Sequence, residues 1–151
     1  MLSEVRDPGN AGTLLRSASA AGASGVVFTT GAVDPFSPKT VRAASGALFQ
    51  VPIATGVDLD ALVPVLGSAG FTTIGAAADA PGSMEDVDLT GRVALVVGNE
   101  GWGIGATAAE LLDAMVSIPM PGAAESLNVG IAGSILLFEA VRQRRLSSSS
   151  S

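Results

Sequence analysis

Residues 93–105, Val-Ala-Leu-Val-Val-Gly-Asn-Glu-Gly-Trp-Gly-Ile-Gly, constrain the fold more than any other stretch of this chain. Five consecutive apolar residues, mostly β-branched, predict a buried strand. A glycine-dense turn follows at once and leads into a helix-like segment. Such a turn exposes backbone N–H groups and lets a ligand approach the main chain. It also carries Glu100, a carboxylate that would repel a phosphate at short range. The loop is therefore built for something other than a pyrophosphate.

The residue types that are missing narrow the chemistry. The 151-residue chain has no His, Cys or Tyr. That excludes Ser-His-Asp triads, thiolate nucleophiles, disulfides and His/Cys zinc sites. Lys39 is the only lysine, and Pro38-Lys39-Thr40 is not a phosphate-binding P-loop. Catalysis here must use Arg, Glu, Asp, Ser, Thr, Asn, backbone groups and a bound cofactor. No apolar run reaches membrane-spanning length and no secretory leader pattern is present, which reads as a cytoplasmic protein with no membrane partner. A bound metal is not expected. The net charge of −6 is unusual for a domain that binds RNA unaided. The basic residues are nonetheless grouped, with Lys39 and Arg42 three apart and Arg142, Arg144 and Arg145 near the end. On a helix, Lys39 and Arg42 would share one face.

Periodicity and punctuation predict alternating elements. Asp7-Pro8-Gly9-Asn10 reads as a turn and residues 11–22 as a helix. Strands are expected at 26–29, 51–55, 71–76, 93–97 and 114–118, with Pro52 marking an edge. Helices are expected at 39–47, 58–68 with Asp58 as N-cap, and 105–112. A last helix is expected from Ser126 or Asn128 to about Arg144. Strands alternating with helices on short connections predict an α/β domain with a parallel sheet flanked by helices. The domain should span 1–146, leaving the low-complexity serine tail 147–151 disordered. The last helix is apolar around nearly its whole circumference, which predicts burial on more than one side, the second side being another subunit or, as the alternative, the interior of this one domain.

Three loops could carry chemistry. One is Asn10-Ala11-Gly12-Thr13-Leu14-Leu15-Arg16; another is 98–105 with Glu100; the third is Ile118-Pro119-Met120 through Ser126-Leu127-Asn128. Taken singly they read as a helix cap, a tight turn and a proline-rich loop. Gly103-Ile104-Gly105-Ala106-Thr107-Ala108 matches a dinucleotide-binding glycine pattern, but it starts five residues after the strand and no acidic residue follows the next strand.

Together, the three loops resemble the motifs of the SpoU-type (TrmH-like) RNA 2′-O-ribose methyltransferases of the SPOUT superfamily. Asp7-Pro8-Gly9-Asn10-Ala11-Gly12 with Arg16 is similar to the first motif, and Val97-Gly98-Asn99-Glu100-Gly101-Trp102-Gly103 to the second. Ile118-Pro119-Met120, Ser126-Leu127-Asn128-Val129 and Phe138 to Arg144 are similar to the third. Ser37-Pro38-Lys39-Thr40-Val41-Arg42 resembles the segment between the first two.

The resemblance implies a C-terminal trefoil knot, a feature otherwise very rare. It implies S-adenosylmethionine as cofactor, with Ala76, Ala77, Gly98, Ile118, Met120 and Leu127 lining its pocket. It also implies a homodimer and an rRNA or tRNA substrate methylated on a ribose 2′-OH. Arg16, Asn10, Glu100, Ser126 and Asn128 are the expected catalytic group, with Glu100 holding Arg16. Arg16, Lys39, Arg42 and Arg145 are the expected RNA contacts. Arginine is a poor literal base because its guanidinium keeps its proton in proteins, so Arg16 is expected to grip a phosphate and favour the forming alkoxide. The competing expectation is a dimeric module that binds the cofactor but needs a separate recognition domain or partner to act.

Overall fold

A computed structural model describes residues 1–149. Six parallel strands form the frame: β1 (Val26–Thr29), β2 (Ile53–Val57), β3 (Thr72–Ala76), β4 (Gly82–Ser83), β5 (Val93–Val96) and β6 (Ala114–Ser117). Five helices flank them: α1 (Pro8–Ala20), α2 (Pro38–Ala44), α3 (Leu59–Ser68), α4 (Ala106–Leu111) and α5 (Val129–Ser149). The strands form a two-stranded sheet, β1-β2, and a four-stranded sheet in the order β4-β6-β3-β5. Leu2 joins them. Its N–H donates to Val27 O at 2.8 Å and its carbonyl accepts from Thr29 N at 3.1 Å, while Ser3 N–H donates to Val97 O at 2.8 Å. One residue thus makes parallel bridges to both Phe28 and Val97.

The two faces of the frame bury different sets of residues. On one, Leu14, Leu15 and Ala18 of α1, Ala44 of α2 and Phe28 and Val97 of the frame form one cluster, with Val129 and Leu137 of α5 against it. On the other, Leu59 and Val63 of α3 close over Val96 and Leu112, with Ile104 and Met115 alongside. Adjacent residues Val96 and Val97 belong to different clusters, as the two-residue period of a strand requires. A third cluster places Leu136 and Ala140 of α5 on Ile74 and Val116.

The predicted elements recur with shifts that have local causes. The first helix starts at Pro8 rather than after Asn10, because Asp7 is its N-cap: Asp7 Oδ1 accepts from Asn10 N–H at 2.8 Å. Proline in the first helical turn suits that cap. Asp58 precedes α3 as expected, but its carboxylate accepts from Thr30 Oγ1 at 2.7 Å rather than capping the helix. The helix expected over 39–47 splits into α2 and a 3₁₀ turn at Ala47–Phe49, broken at Ser45 and Gly46, both with positive φ. α5 runs on through Ser149, three residues into the expected disordered tail. Ser148 and Ser149 donate to the carbonyls of Arg144 and Arg145, so the serines extend the helix. Residues 150–151 of that tail lie outside the described residues. No helix among the described residues is long and apolar enough to cross a membrane.

α1 sits between α2 and α5 because small residues let backbones approach. A Cβ on Gly12 would overlap the Ala43 side chain and stand 2.6 Å from the Ala43 carbonyl carbon and 2.9 Å from Ala44 N. A Cβ on Gly133 of α5 would overlap Leu14. Gly67 in α3 has open space instead. Gly12→Ala is expected to destabilise by about 1–3 kcal/mol through overpacking, and Gly67→Ala to stabilise by about 0.5–1 kcal/mol through helix propensity. Chemical denaturation of the two variants checks this, and equal effects would contradict the packing described.

Candidate functional site

Glu100 ties the turn after β5 to the start of α1. Its Oε1 accepts from Asp7 N–H at 3.0 Å and from Asn10 Nδ2 at 3.1 Å, and its Oε2 accepts from Arg6 N–H at 3.2 Å. A carboxylate bonding the N–H of an N-cap residue does what the third helical residue does in a capping box, here from 93 residues away. It also places negative charge at a helix N-terminus, where the dipole favours it.

Asn10 carries the connection onward. A carboxylate can only accept, so the Asn10 amide nitrogen must face Glu100 and its oxygen must face away. That oxygen accepts from Asn128 Nδ2 at 2.8 Å, and Asn128 Oδ1 accepts from Ile131 N–H in the first turn of α5 at 3.2 Å. The result is a relay of fixed polarity from Glu100 through Asn10 and Asn128 into α5. Gly130 allows it, since a Cβ there would stand 3.1 Å from Asn128 Oδ1 and 3.3 Å from Asn10 Oδ1.

The turn holding Glu100 is itself closed. Asn99 and Gly103 exchange backbone hydrogen bonds of 2.9 Å in each direction, and Asn99 Oδ1 accepts from Gly101 N–H at 2.7 Å. Gly103 has a φ of +70°, which favours glycine. A Cβ on Gly98 would overlap the backbone of Gly103 and Ile104. Gly98 is thus required by its own loop, a constraint that the ligand-based expectation had not included.

Four of the six expected cofactor residues, Ala76, Ala77, Gly98 and Ile118, lie at the ends of adjoining strands, and Met120 and Leu127 lie further along the loop after β6. β5, β3 and β6 are neighbours in register, with Gly75 opposite both Val96 and Met115. Continuing each strand brings Gly98, Ala77 and Ile118 to the same carboxyl edge. Ala77 N–H donates to Val116 O at 3.0 Å, which extends the β3–β6 pairing to that level. Neighbouring strands lie about 4.8 Å apart, so three backbone segments meet within roughly 10 Å at the end where ligands bind in parallel sheets. Ala76, Ala77, Ile118, Met120 and Leu127 are each half-buried. This apolar rim, with strand-end carbonyl and amide groups, fits an adenosine carrying a small cationic sulfonium. A cavity of about 730 Å³ lies elsewhere, lined by Leu14, Ala18, Val26, Leu95 and Leu137 among others and by none of the six expected cofactor residues.

Other expected residues fall outside the relay. Arg16 is exposed and does not meet Glu100 within the chain. The reason is helical phase. Six residues separate it from Asn10, about 9 Å along the axis and some 240° around it. Arg16 instead lines a shallow hollow with Thr13, Ser17, Ala20 and Phe138. Ser126 is exposed on the loop before α5. Lys39 and Arg42 are both exposed on α2, as their spacing required. Of the C-terminal arginines, Arg142 grips Glu139 through two 2.7 Å bonds, and Arg144 binds Leu89 O and Gly91 O, while Arg145 is exposed. Arg6 and Trp102 are the residues the sequence reading passed over. The Arg6 guanidinium lies 5.0 Å from the centroid of the Trp102 ring.

The comparisons agree with the geometry. The model of the SpoU rRNA Methylase family matches residues 1–138. The chain is 42% identical over 143 residues to a 23S rRNA (guanosine-2'-O-)-methyltransferase RlmB from a Burkholderia species, covering 95% of this chain and 58% of that protein. It is 38% identical to the 23S rRNA (guanosine(2553)-2'-O)-methyltransferase RlmP of Bacillus subtilis, covering 91% and 55% respectively. The chain therefore spans little more than half the length of these relatives. The crystal structure of the SpoU methyltransferase AviRb from Streptomyces viridochromogenes in complex with AdoMet superposes with a TM-score of 0.88 at 36% identity, covering 95% of this chain and 56% of that one.

Partial desolvation, the largest single influence, pushes the Glu100 carboxyl up. The Asn10 amide and the N–H groups of Asp7, Glu100 and Arg6 outweigh it together and hold the carboxyl below the usual glutamate range. A group lowered on folding stabilises fully above its unfolded value, about 4.3, and loses that contribution as pH falls through the folded value. Glu100→Gln should therefore lower stability at pH 7 by no more than about 0.5 kcal/mol, because solvent screens the exposed carboxylate, and make its decline below about pH 4.3 shallower than in the parent. Denaturation at several pH values checks this, and parallel curves of equal height would contradict it.

Proposed function

The chain belongs to the SpoU rRNA methylase family, and we propose that it is a cytoplasmic methyltransferase that moves a methyl group from S-adenosylmethionine to a ribose 2′-OH of ribosomal RNA. The observation that carries this reading is the relay from Glu100 through Asn10 to Asn128, which locks three loops beside the meeting of β5, β3 and β6. The RlmB and RlmP relatives favour rRNA over tRNA as the substrate. The AdoMet complex of the AviRb neighbour supports the cofactor.

The cofactor supplies an electrophilic methyl group on a sulfonium. The chain supplies alignment and charge stabilisation, consistent with its lack of His and Cys. Ala77, Gly98 and Ile118 would hold the cofactor through backbone groups, and Ala76, Met120 and Leu127 through apolar contact. Glu100 accepts from the N–H groups of Arg6 and Asp7 and from the Asn10 amide and is therefore a positioning residue rather than a free base. Asn10 and Asn128 position the starts of α1 and α5. Arg16 would bind the phosphate next to the target ribose and stabilise the negative charge that develops on the 2′-oxygen as it takes the methyl group and its proton passes to solvent water.

The same reading includes a homodimer and a knot. α5 buries Gly130, Gly133, Leu136, Glu139 and Ala140 within the chain, yet Ile131 and Phe138 remain about half exposed. That second face, with Arg16 in the hollow beside Phe138, supports a dimer in which Arg16 serves the site of the neighbouring protomer. A trefoil knot, with α5 threaded through the β3–β5 connection, is supported by the grip of Gln143 on Val87 O and Leu89 N–H and of Arg144 on Leu89 O and Gly91 O.

Calorimetry with S-adenosylmethionine, sedimentation, and methyl transfer to rRNA fragments test the proposal together. A cofactor-binding dimer forming 2′-O-methylated nucleosides is expected. Arg16→Ala should keep cofactor affinity while lowering transfer by about 10²–10³-fold. Undiminished transfer by that variant would remove the role given to Arg16. A monomer without cofactor affinity would overturn the reading as a whole.

A further inference from the structure

Trp102 is the only tryptophan of the chain and the largest side chain of the Glu100 turn, yet it is 56% exposed. Leaving such a ring in water forgoes a large apolar gain. Its position is imposed by structure around it. The reciprocal Asn99–Gly103 bonds close the turn, and Asn99 Nδ2 anchors it to Glu4 O at 2.8 Å. The ring is therefore held out at the tip of a stapled loop.

Arg6 covers part of that ring. Its N–H is fixed by Glu100 Oε2, and its guanidinium lies 5.0 Å from the indole centroid. Nη2 is also 3.9 Å from Glu4 Oε2, an exposed pair worth little by itself. Arg6 and Trp102 thus combine a π surface and a planar cation on one patch. Glu4, Asp7 and Glu100 keep negative charge beside it, which disfavours a phosphate there but leaves the uncharged face of a base free to stack. The Glu100 carboxylate is turned toward Asn10, Asp7 and Arg6 N–H, and Asp7 Oδ1 toward Asn10 N–H.

We propose that Trp102, backed by Arg6, is a stacking platform for an unpaired nucleobase of the substrate RNA, next to the methyl-transfer site. This rests on the reading that the protein acts on RNA. Base stacking on aromatic and guanidinium planes is how single-stranded RNA is held, and it tolerates sequence because every base has a π face. Only an unpaired base has that face free. Phe36 and Phe49 are also exposed, but neither has a cation over its ring among the described residues or lies on a loop of the relay.

The chain carries its own probe. With one tryptophan and no tyrosine, its intrinsic fluorescence reports Trp102 alone. The protein is saturated with S-adenosylmethionine and titrated with an end-labelled single-stranded RNA of about ten nucleotides. Label anisotropy reports binding and Trp emission reports stacking. Quenching is expected to track the anisotropy rise, and a duplex of the same sequence is expected to leave the emission unchanged. Trp102→Ala, with folding checked by circular dichroism, should bind the single strand about ten-fold more weakly, and Trp102→Phe should fall between. Binding without quenching, at equal affinity in Trp102→Ala, would overturn the platform and leave the proposed function standing. Absence of binding by the parent chain would overturn the RNA reading and the platform with it.

Discussion

The relay of three side chains, Glu100, Asn10 and Asn128, holds the arrangement of this site. Glu100 lies in the turn after β5, Asn10 in the first turn of α1 and Asn128 just before α5; the two bonds span 90 and 118 residues, and each has only one chemically allowed direction. Because the relay ends in the first turns of α1 and α5, it sets the position of both helices as well as of the turn between β5 and α4. Asn10 at its centre is buried, and a buried polar group without a partner loses its hydration for nothing, whereas Glu100 and Asn128 at its ends are exposed. Here no buried side-chain nitrogen or oxygen among the described residues lacks a partner.

Close packing makes the relay geometrically possible. Gly12 lets α2 touch α1, Gly130 and Gly133 let α5 touch α1, and Gly98 lets its own turn fold over it. Sheet pairing, in turn, sets the strand ends at Gly98, Ala77 and Ile118 side by side. A ligand at that edge would meet backbone groups fixed by sheet register and side chains fixed by the relay. Preorganisation of this kind is what methyl transfer to a weakly acidic hydroxyl demands of a protein without a conventional base.

Much of this frame was legible in the sequence where local chemistry was unambiguous. The β-branched runs at 26–29 and 93–97 could hardly be anything but buried strands, and Lys39 and Arg42 fell on one helix face as their spacing required. Asp7-Pro8-Gly9-Asn10 was read as a turn because the same residues suit a turn and a capped helix start. The strand role of Leu2 left no trace, since a single bridging residue has no periodicity. The meeting of the β5, β3 and β6 ends left no local trace either, because sheet order is a long-range property. Within the chain, helical phase keeps Arg16 away from Glu100, whose partners include the N–H groups of Arg6 and Asp7, backbone atoms that no residue type advertises.

If the relay acts as one unit, its ends must be energetically coupled although they do not touch. A double-mutant cycle of Glu100→Ala and Asn128→Ala, read as unfolding free energy, measures that coupling directly. The relay predicts that the two losses fail to add by at least about 0.5 kcal/mol. Additivity within about 0.3 kcal/mol would show two independent contacts and contradict the account.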